Sequence, residues 1–128
     1  MTTSTTPALF TQPLFILEMA NNHMGDLPHG IATIRAIRAA CVGFETDFDF
    51  AFKLQYRDLD TFIHPAAQGR DGIKYVKRFS ETRLSRTQFD LLVSEMRNNG
   101  FLTMSTPFDE NSVDFIEEQQ LYYIKIAS

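Results

Sequence analysis

Short apolar runs alternate along the chain with segments of helical spacing, and this order limits the fold more than any other feature of the sequence. The predicted strands are residues 14–19, 48–56, 101–105 and 121–127, and the predicted helices are residues 28–42, 85–99 and 109–119. Strands and helices in strict alternation are typical of parallel strands joined by helical crossovers. The sequence therefore predicts an α/β fold with a parallel sheet.

The remaining segments carry weaker patterns. Residues 1–13 are polar and rich in threonine, which predicts a flexible lead-in to a folded part over residues 14–128. Residues 57–84 contain proline and glycine and are predicted to form a long loop, with a short helical patch at residues 73–79. A length of 128 residues with 44% hydrophobic content suits one folded domain.

Composition and charge exclude several classes of partner. A net charge of −4 and a pI near 5.3 argue against nucleic acid or an anionic membrane as the partner. No apolar run approaches the roughly 18 residues that a membrane span needs. The start of the chain lacks the basic and apolar segments of a secretory signal, so a cytoplasmic location is predicted. The single cysteine, Cys41, is predicted to pack in the core.

The second predicted strand carries a lysine and an amide among apolar residues. Successive strand side chains point to opposite faces, so Phe50, Phe52 and Leu54 share one face. Lys53 and Gln55 share the other face. A strand that faces solvent could carry the same pair, but a lysine beside an amide at the end of an apolar strand also suits a ligand site.

Polar or charged residues stand where each of the four apolar runs finishes. They are Glu18, then Lys53 with Gln55, then Ser105 with Thr106, then Lys125 with Ser128. Ligands of parallel α/β sheets collect at the carboxyl ends of the strands. Two lysines with nearby hydroxyls suit a phosphate or a carboxylate, whereas Gln55 suits sugar hydroxyls or an amide. Glu18 could orient a ligand, accept a proton or pair with a lysine. The predicted ligand is a small anion.

Four segments in this order and spacing resemble the sialic acid synthase (NeuB-type) family, which includes the N-acetylneuraminate, legionaminate and pseudaminate synthases. The segments are FILEMANNHMGD at residues 15–26, FKLQ at residues 52–55, GF leading to STPFD at residues 100–109, and YIKIAS at residues 123–128. The resemblance covers nearly the whole chain from about Phe15 onward. It implies a TIM (β/α)8 barrel, of which residues 14–128 would form the first half, about four β/α units, because a typical barrel needs about 250 residues.

The resemblance also implies an activity. Members of the family condense phosphoenolpyruvate with the open-chain aldehyde of an N-acyl amino sugar to give a nine-carbon 2-keto acid, and they release phosphate. A divalent metal, manganese or magnesium, activates the aldehyde, and its histidine ligands are expected beyond Ser128, so no metal ligand is assigned in this chain. The full-length enzyme is expected to be a homodimer, and the 128 residues alone are expected to be inactive.

Site residues follow from the same resemblance. Those that match phosphoenolpyruvate-binding positions are Lys53, Thr106, Lys125 and Ser128. Gln55 matches a position that contacts the sugar. Glu18 matches the acidic residue at the end of the first strand, and the predicted catalytic residues are Glu18, Lys53 and Lys125. His23 is a secondary candidate, although a hydrogen-bonding structural role is favoured for a loop histidine.

Other interpretations stay open at this point. A noncatalytic α/β module could keep an anion pocket, and a related 3-deoxy-sugar-phosphate synthase would use phosphoenolpyruvate with a phosphorylated aldose instead. A basic cluster lies in the predicted loop and comprises Arg70, Lys74, Lys77, Arg78 and Arg83. A solvated face is the favoured interpretation of this basic cluster, and contact with a substrate phosphate or a neighbouring subunit is the alternative. Half a barrel leaves an unpaired strand edge and exposed apolar faces, so the isolated chain is expected to aggregate, self-associate or fold poorly.

Overall fold

A computed structural model describes residues 12–128, so most of the predicted lead-in lies outside the described residues. The elements are β1 Leu14–Glu18, α1 Leu27–Cys41, β2 Asp49–Tyr56, α2 Leu59–Phe62, α3 Lys74–Glu81, α4 Arg86–Asn98, β3 Leu102–Pro107, α5 Glu110–Glu118 and β4 Tyr123–Ile124. A single 3₁₀ turn at Pro65–Ala67 follows α2. The predicted alternation of strands and helices is confirmed.

All strand pairs of the sheet are parallel, in the order β1-β2-β3-β4. Glu18 is the register partner of Lys53, and Lys53 is in turn the partner of Met104. Register partners in a sheet point their side chains to the same face, and the carboxyl ends of parallel strands meet at one edge. The chain order thus brings the polar ends of successive strands next to one another.

One face of the sheet is covered by the helices and forms the core. Phe52, Leu54 and Tyr56 of β2 are buried there, together with Leu92 and Met96 of α4. This is the aromatic and aliphatic face that strand alternation predicts. Cys41 is also buried in this core, which confirms its predicted packing role.

Local signals set the helix starts. Asp26 caps α1 by accepting a hydrogen bond from the backbone N–H of His29, and Ser85 forms with Gln88 a capping box at α4. The two helices approach closely at Gly30, where an added Cβ would lie 2.8 Å from Leu92 Cδ2. A side chain at Gly30 would therefore require the Leu92 side chain to move.

The segment predicted as a long loop is more ordered than expected. It contains α2, the 3₁₀ turn and α3, and the predicted patch at residues 73–79 is confirmed as part of α3. Leu59, Ile63 and Val76 form a small second core, against which Phe79 packs. The prediction missed α2 because one helical turn has too few residues to show a periodic pattern, and its formation depends on packing against α3.

Two strand boundaries were predicted wrongly. β3 was expected to break at Thr106, but it continues to Pro107, because a proline at the last strand position sacrifices no ladder hydrogen bond. The fourth strand was predicted over residues 121–127, whereas only Tyr123–Ile124 pair with β3. Hydrogen bonds from the N–H groups of Tyr122 and Lys125 to β3 flank that pair, and none of the described residues continues the ladder beyond Lys125.

Among the described residues no helix is long and apolar enough to cross a membrane.

The two outer strands leave apolar side chains uncovered, and this predicts self-association of the 128-residue chain. Phe15 and Ile16 on β1 are exposed, as are Ile124 and Ile126 at β4. Exposed apolar strands at a sheet edge pair readily with other chains. We expect light scattering after size exclusion to show oligomers at micromolar concentration.

The paired substitution Ile124→Lys with Ile126→Lys should shift the distribution toward monomer. Val42→Lys is the matched control, since Val42 is exposed but lies at the end of α1, away from the sheet. A monodisperse wild-type monomer that melts cooperatively would contradict this prediction.

Candidate functional site

An ion pair between a buried lysine and an exposed glutamate lies at the carboxyl end of β1 and β2. Lys53 Nζ lies 2.5 Å from Glu18 Oε1. Lys53 is only 4% exposed, whereas the Glu18 side chain is 56% exposed. A lysine is almost never fully buried without a partner, so Glu18 accounts for the charge of Lys53 inside the fold.

The charges around Glu18 identify the second lysine of the site. The hydrogen bond from Lys53 and then its charge hold the pKa of Glu18 below its usual range, burial opposes this weakly, and the charge of Lys125 adds to the lowering. Glu18 is therefore ionised at neutral pH. Lys53 therefore acts on Glu18 by direct contact, and the charge of Lys125 acts on it in the same direction. The backbone N–H of Lys125 donates to Ser105 O at 3.0 Å, which holds the exposed lysine beside β3.

A glutamine and a threonine lie one step farther along the same face. Gln55 and Thr106 are register partners. Gln55 comes two residues after Lys53, and Thr106 comes two residues after Met104, the register partner of Lys53. Since side chains alternate, these two point to the face that carries Lys53. Thr106 is buried and Gln55 is half-buried. The structure thus brings Glu18 and Lys53 together with Gln55 and Thr106, as the strand ends predict.

Two predicted polar residues do not join this group. Ser105 is the register partner of Leu54, so its side chain points to the helix-covered face, where it is fully buried. Its Oγ has no hydrogen-bond partner among the described residues. The sequence placed Ser105 beside Thr106, but strand alternation separates them. Ser128 is exposed beyond β4, and no hydrogen bond within residues 12–128 joins its side chain to the others.

His23 is buried in the turn that follows β1. Its Nδ1 accepts a hydrogen bond from the backbone N–H of Gly25 at 3.1 Å, and its ring packs edge-on against Phe89. Burial lowers the pKa of His23 to about 4, and the charge of His29 acts in the same direction. His23 is therefore neutral at pH 7 with its proton on Nε2. These contacts fit the structural role favoured for it.

Sequence analysis missed Arg57, which comes two residues after Gln55 in the chain. Its guanidinium carbon lies 3.9 Å from the ring centroid of Phe108, 4.5 Å from that of Phe79 and 5.8 Å from that of Phe62. Its Nη1 donates to Gln55 Oε1 at 3.1 Å. A signal was present, because residues 55 and 57 share one side of an extended chain. Two of the aromatic partners, Phe62 and Phe79, belong to the segment that the sequence predicts as a loop, and Phe108 follows β3, so no local pattern joins the three rings to Arg57.

Hydrogen bonds tie the segment after β2 to the start of α5. The backbone N–H of Asp58 donates to Asp109 Oδ2 at 2.7 Å, and Asn111 Nδ2 donates to Asp58 Oδ2 at 2.7 Å. The hydroxyl of Tyr56 donates to Gln119 Oε1 at 2.5 Å. Both neighbours of Arg57 in the chain are thus held by hydrogen bonds to α5 and to the residues just before and after it.

A cavity of about 600 Å³ opens beside these hydrogen bonds. Gln55, Arg57 and His23 contribute to its lining, but Lys53 and Lys125 do not among the described residues. The cavity and the lysine cluster, which comprises Lys53 and Lys125, are therefore separate places that adjoin at Gln55. An anion on the lysines and a larger polar group in the cavity could both contact Gln55.

The basic cluster of residues 70–83 faces solvent. All five of its side chains belong to exposed residues. Arg83 forms two hydrogen bonds with Asp60, at 3.1 and 3.2 Å, and Lys77 pairs with Glu81 one helical turn away. These ion pairs agree with the favoured interpretation of a solvated face.

No group of three or more His, Cys, Asp or Glu side chains within residues 12–128 is arranged to hold a metal ion. The polar groups at the described strand ends are two lysines, a carboxylate, an amide and a hydroxyl.

Comparison with known proteins decides the family. A sequence model of the NeuB family matches residues 37–128, which is most of the chain. The chain belongs to the NeuB family. None of the curated proteins compared with this NeuB-family chain matches it.

Solved structures agree with the family assignment. The provisionally named spore coat polysaccharide biosynthesis protein E of Chromobacterium violaceum is 64% identical, with a TM-score of 0.87 over 91% of this chain. The spore coat polysaccharide biosynthesis protein spsE of Bacillus subtilis is 25% identical, with a TM-score of 0.61 over 93% of the chain. N-acetylneuraminic acid (sialic acid) synthetase of Leptospira borgpetersenii serovar Hardjo-bovis, solved with citrate, is 23% identical over 90% of the chain, with a TM-score of 0.67.

The NeuB-family chain spans about a third of the length of these structures, 34%, 30% and 36% respectively. The likeness confirms the predicted fold class, the first four β/α units of a TIM barrel. The family is one of sugar-acid synthases.

The ion pair predicts the titration of Glu18. Lys53→Met should raise the pKa of Glu18 toward the ordinary value of a glutamate, because it removes the hydrogen bond and charge that lower it. Carbon-13 NMR of labelled glutamate side chains measures this directly. Lys77→Met, at an exposed lysine of α3, is the matched control and should leave Glu18 unchanged.

The same pair predicts a pH dependence of stability. Because the folded state lowers the pKa of Glu18, the contribution of the pair is present above the unfolded-state pKa and is lost as pH falls through the folded-state pKa. An unchanged Glu18 pKa in Lys53→Met would contradict both statements.

Proposed function

We propose that these residues are the N-terminal part of a synthase that condenses phosphoenolpyruvate with the open-chain aldehyde of an N-acyl amino sugar. The product would be a nine-carbon 2-keto sugar acid, with phosphate released. The observation that carries the proposal is the buried Lys53, paired with an exposed carboxylate whose pKa the charge of Lys125 also lowers. Membership of the NeuB family supports the same class of reaction.

The charges of the site suit the proposed substrate. Phosphoenolpyruvate carries a phosphate and a carboxylate, and Lys53 and Lys125 supply two ammonium groups that offset them. Each ammonium has three N–H donors, so Lys53 can keep its bond to Glu18 and still donate to an anion. Thr106 adds a hydroxyl on the same face. Ser128 is proposed as a further contact of phosphoenolpyruvate.

The reaction forms one bond between carbon atoms and breaks one bond to the phosphate group. C3 of phosphoenolpyruvate attacks the aldehyde carbon, and the aldehyde oxygen takes up a proton. Water adds at C2, and loss of phosphate from that carbon leaves the 2-keto acid. Lys53 and Lys125 would stabilise the negative charges throughout. Glu18, ionised at neutral pH, would accept a proton or orient a ligand rather than donate a proton.

Gln55 is proposed to contact the amino sugar. It lies at the junction of the lysine cluster and the cavity of about 600 Å³, so an aldehyde held there would lie next to an anion on the lysines. Proximity of the two reactants is a large part of the catalysis expected of such a site. A divalent metal and a homodimeric assembly, expected from the family resemblance, remain predictions for the full-length protein.

Lys53→Ala should abolish the proposed activity. In the full-length protein we expect phosphoenolpyruvate-dependent formation of a 2-keto sugar acid to fall by a factor of about 100 or more, the size of effect seen when one charge-stabilising donor is lost. A thiobarbiturate assay for the 2-keto acid measures the product. Lys77→Ala is the matched control, because Lys77 is exposed on α3.

Circular dichroism should show that the Lys53→Ala protein is folded, since Glu18 is largely exposed and tolerates loss of its partner. Retention of activity in that variant would refute the role assigned to Lys53. Absence of any phosphoenolpyruvate-dependent product in the wild type would refute the proposed function itself.

A further inference from the structure

We propose that Arg57 is a positioning residue, which holds the Gln55 amide so that its NH₂ group, and not its oxygen, is presented to the ligand. The site would then recognise an acceptor oxygen, a carbonyl or hydroxyl oxygen, on the amino sugar. The identity of that ligand rests on the proposed function, whereas the orientation of Gln55 rests on the geometry around Arg57.

The Arg57 guanidinium is enclosed by aromatic rings. Phe108 and Phe79 lie within 4.5 Å of its central carbon, measured to the ring centroids, and Phe62 lies at 5.8 Å. Such rings attract a cation through their negative faces and take the place of water around it. Burial lowers the pKa of Arg57, as expected of a guanidinium removed from water, and Asp109 partly offsets this. The side chain is therefore held in one place.

Gln55 is the hydrogen-bonding partner of this guanidinium. Within residues 12–128, the single side-chain acceptor in contact with Arg57 is Gln55 Oε1, at 3.1 Å. The Nε atom of Arg57 is buried and has no partner in the described part of the chain. Arg57 therefore has one neutral side-chain acceptor and no carboxylate partner, in contrast to the exposed arginines Arg35 and Arg83, which each pair with a carboxylate.

The chemistry of arginine decides which end of the amide it meets. A guanidinium has only donors, so it can bind an amide side chain through the oxygen and not through the NH₂ group. The Gln55 oxygen is thereby turned toward Arg57, and the amide nitrogen, which makes no hydrogen bond with any described residue, is turned away from it. The group left for a ligand is a donor.

The backbone around Arg57 supports the same role. Asp58 is tied to Asp109 and Asn111, and Tyr56 is tied to Gln119, so the chain on both sides of Arg57 is fixed. A glutamine side chain alone has three rotatable bonds and would sample several orientations. Ordering it before the ligand arrives reduces the cost of binding.

Steady-state kinetics of the full-length protein test this coupling. Arg57→Met should raise KM for the amino sugar about tenfold and leave KM for phosphoenolpyruvate unchanged, because one polar side chain loses its order. Gln55→Ala should raise the same KM. The double variant should be no worse than Gln55→Ala, since Arg57 acts through Gln55. Additive effects, or equal changes in both KM values, would overturn the proposal.

Variants that change only the polarity sharpen the test. Gln55→Glu keeps an oxygen for Arg57 but turns an oxygen, instead of NH₂, toward the ligand, so KM for the amino sugar should rise at least as much as in Gln55→Ala. A KM equal to that of the wild type would overturn the proposal. Arg57→Lys keeps a donor without the planar stacking and should recover part of the loss. Arg35→Met, at an exposed arginine of α1, is the matched control.

Crystal structures of the full-length wild type and of Arg57→Met separate this inference from the proposed function. If the wild type forms no 2-keto sugar acid, the proposed function fails while the position of Gln55 can still be compared. A Gln55 side chain that becomes disordered or turns in Arg57→Met supports the positioning role. An unchanged Gln55 overturns it, and Arg57→Lys serves the same comparison if Arg57→Met does not fold.

Discussion

The site depends on an ammonium group that is held inside the sheet. Burying the charge of Lys53 is unfavourable unless a partner of opposite charge lies within hydrogen-bonding distance, and Glu18 provides that partner from the neighbouring strand. The pair exists only in one register of β1 against β2, because a shift of one residue would turn Lys53 toward the helices. The fold and the site are therefore set by the same strand pairing.

Alternation of side chains separates stability from chemistry along β2. Phe52 and Leu54 pack under the helices, while Lys53 and Gln55, which alternate with them along β2, point to the opposite face of the sheet. Substitutions on the first face would act through packing, and those on the second through charge and hydrogen bonding. Arg57 extends the second group past the end of the strand, with aromatic rings in place of the strand neighbours that it lacks.

Periodicity was sufficient to predict the sheet and the common face of several polar strand ends, but not the contacts between distant segments. Lys53 and Gln55 could be placed on one face from β2 alone, and Ser85 with Gln88 marked the start of α4. The surroundings of Arg57 could not be predicted, because the aromatic rings around it come from α2, from α3 and from the residue after β3. Ser105 was misplaced for a different reason, because alternation along β3 turns its side chain to the face opposite Thr106, as its register with Leu54 shows.

A co-crystal structure of the full-length protein with phosphoenolpyruvate tests the central claim most directly. We predict that oxygen atoms of the ligand lie at hydrogen-bonding distance, about 2.7–3.2 Å, from Nζ of Lys53 and of Lys125, with Glu18 still beside Lys53. Phosphoenolpyruvate bound elsewhere, or bound with either lysine turned away from it, would contradict the assignment of this face as the anion site.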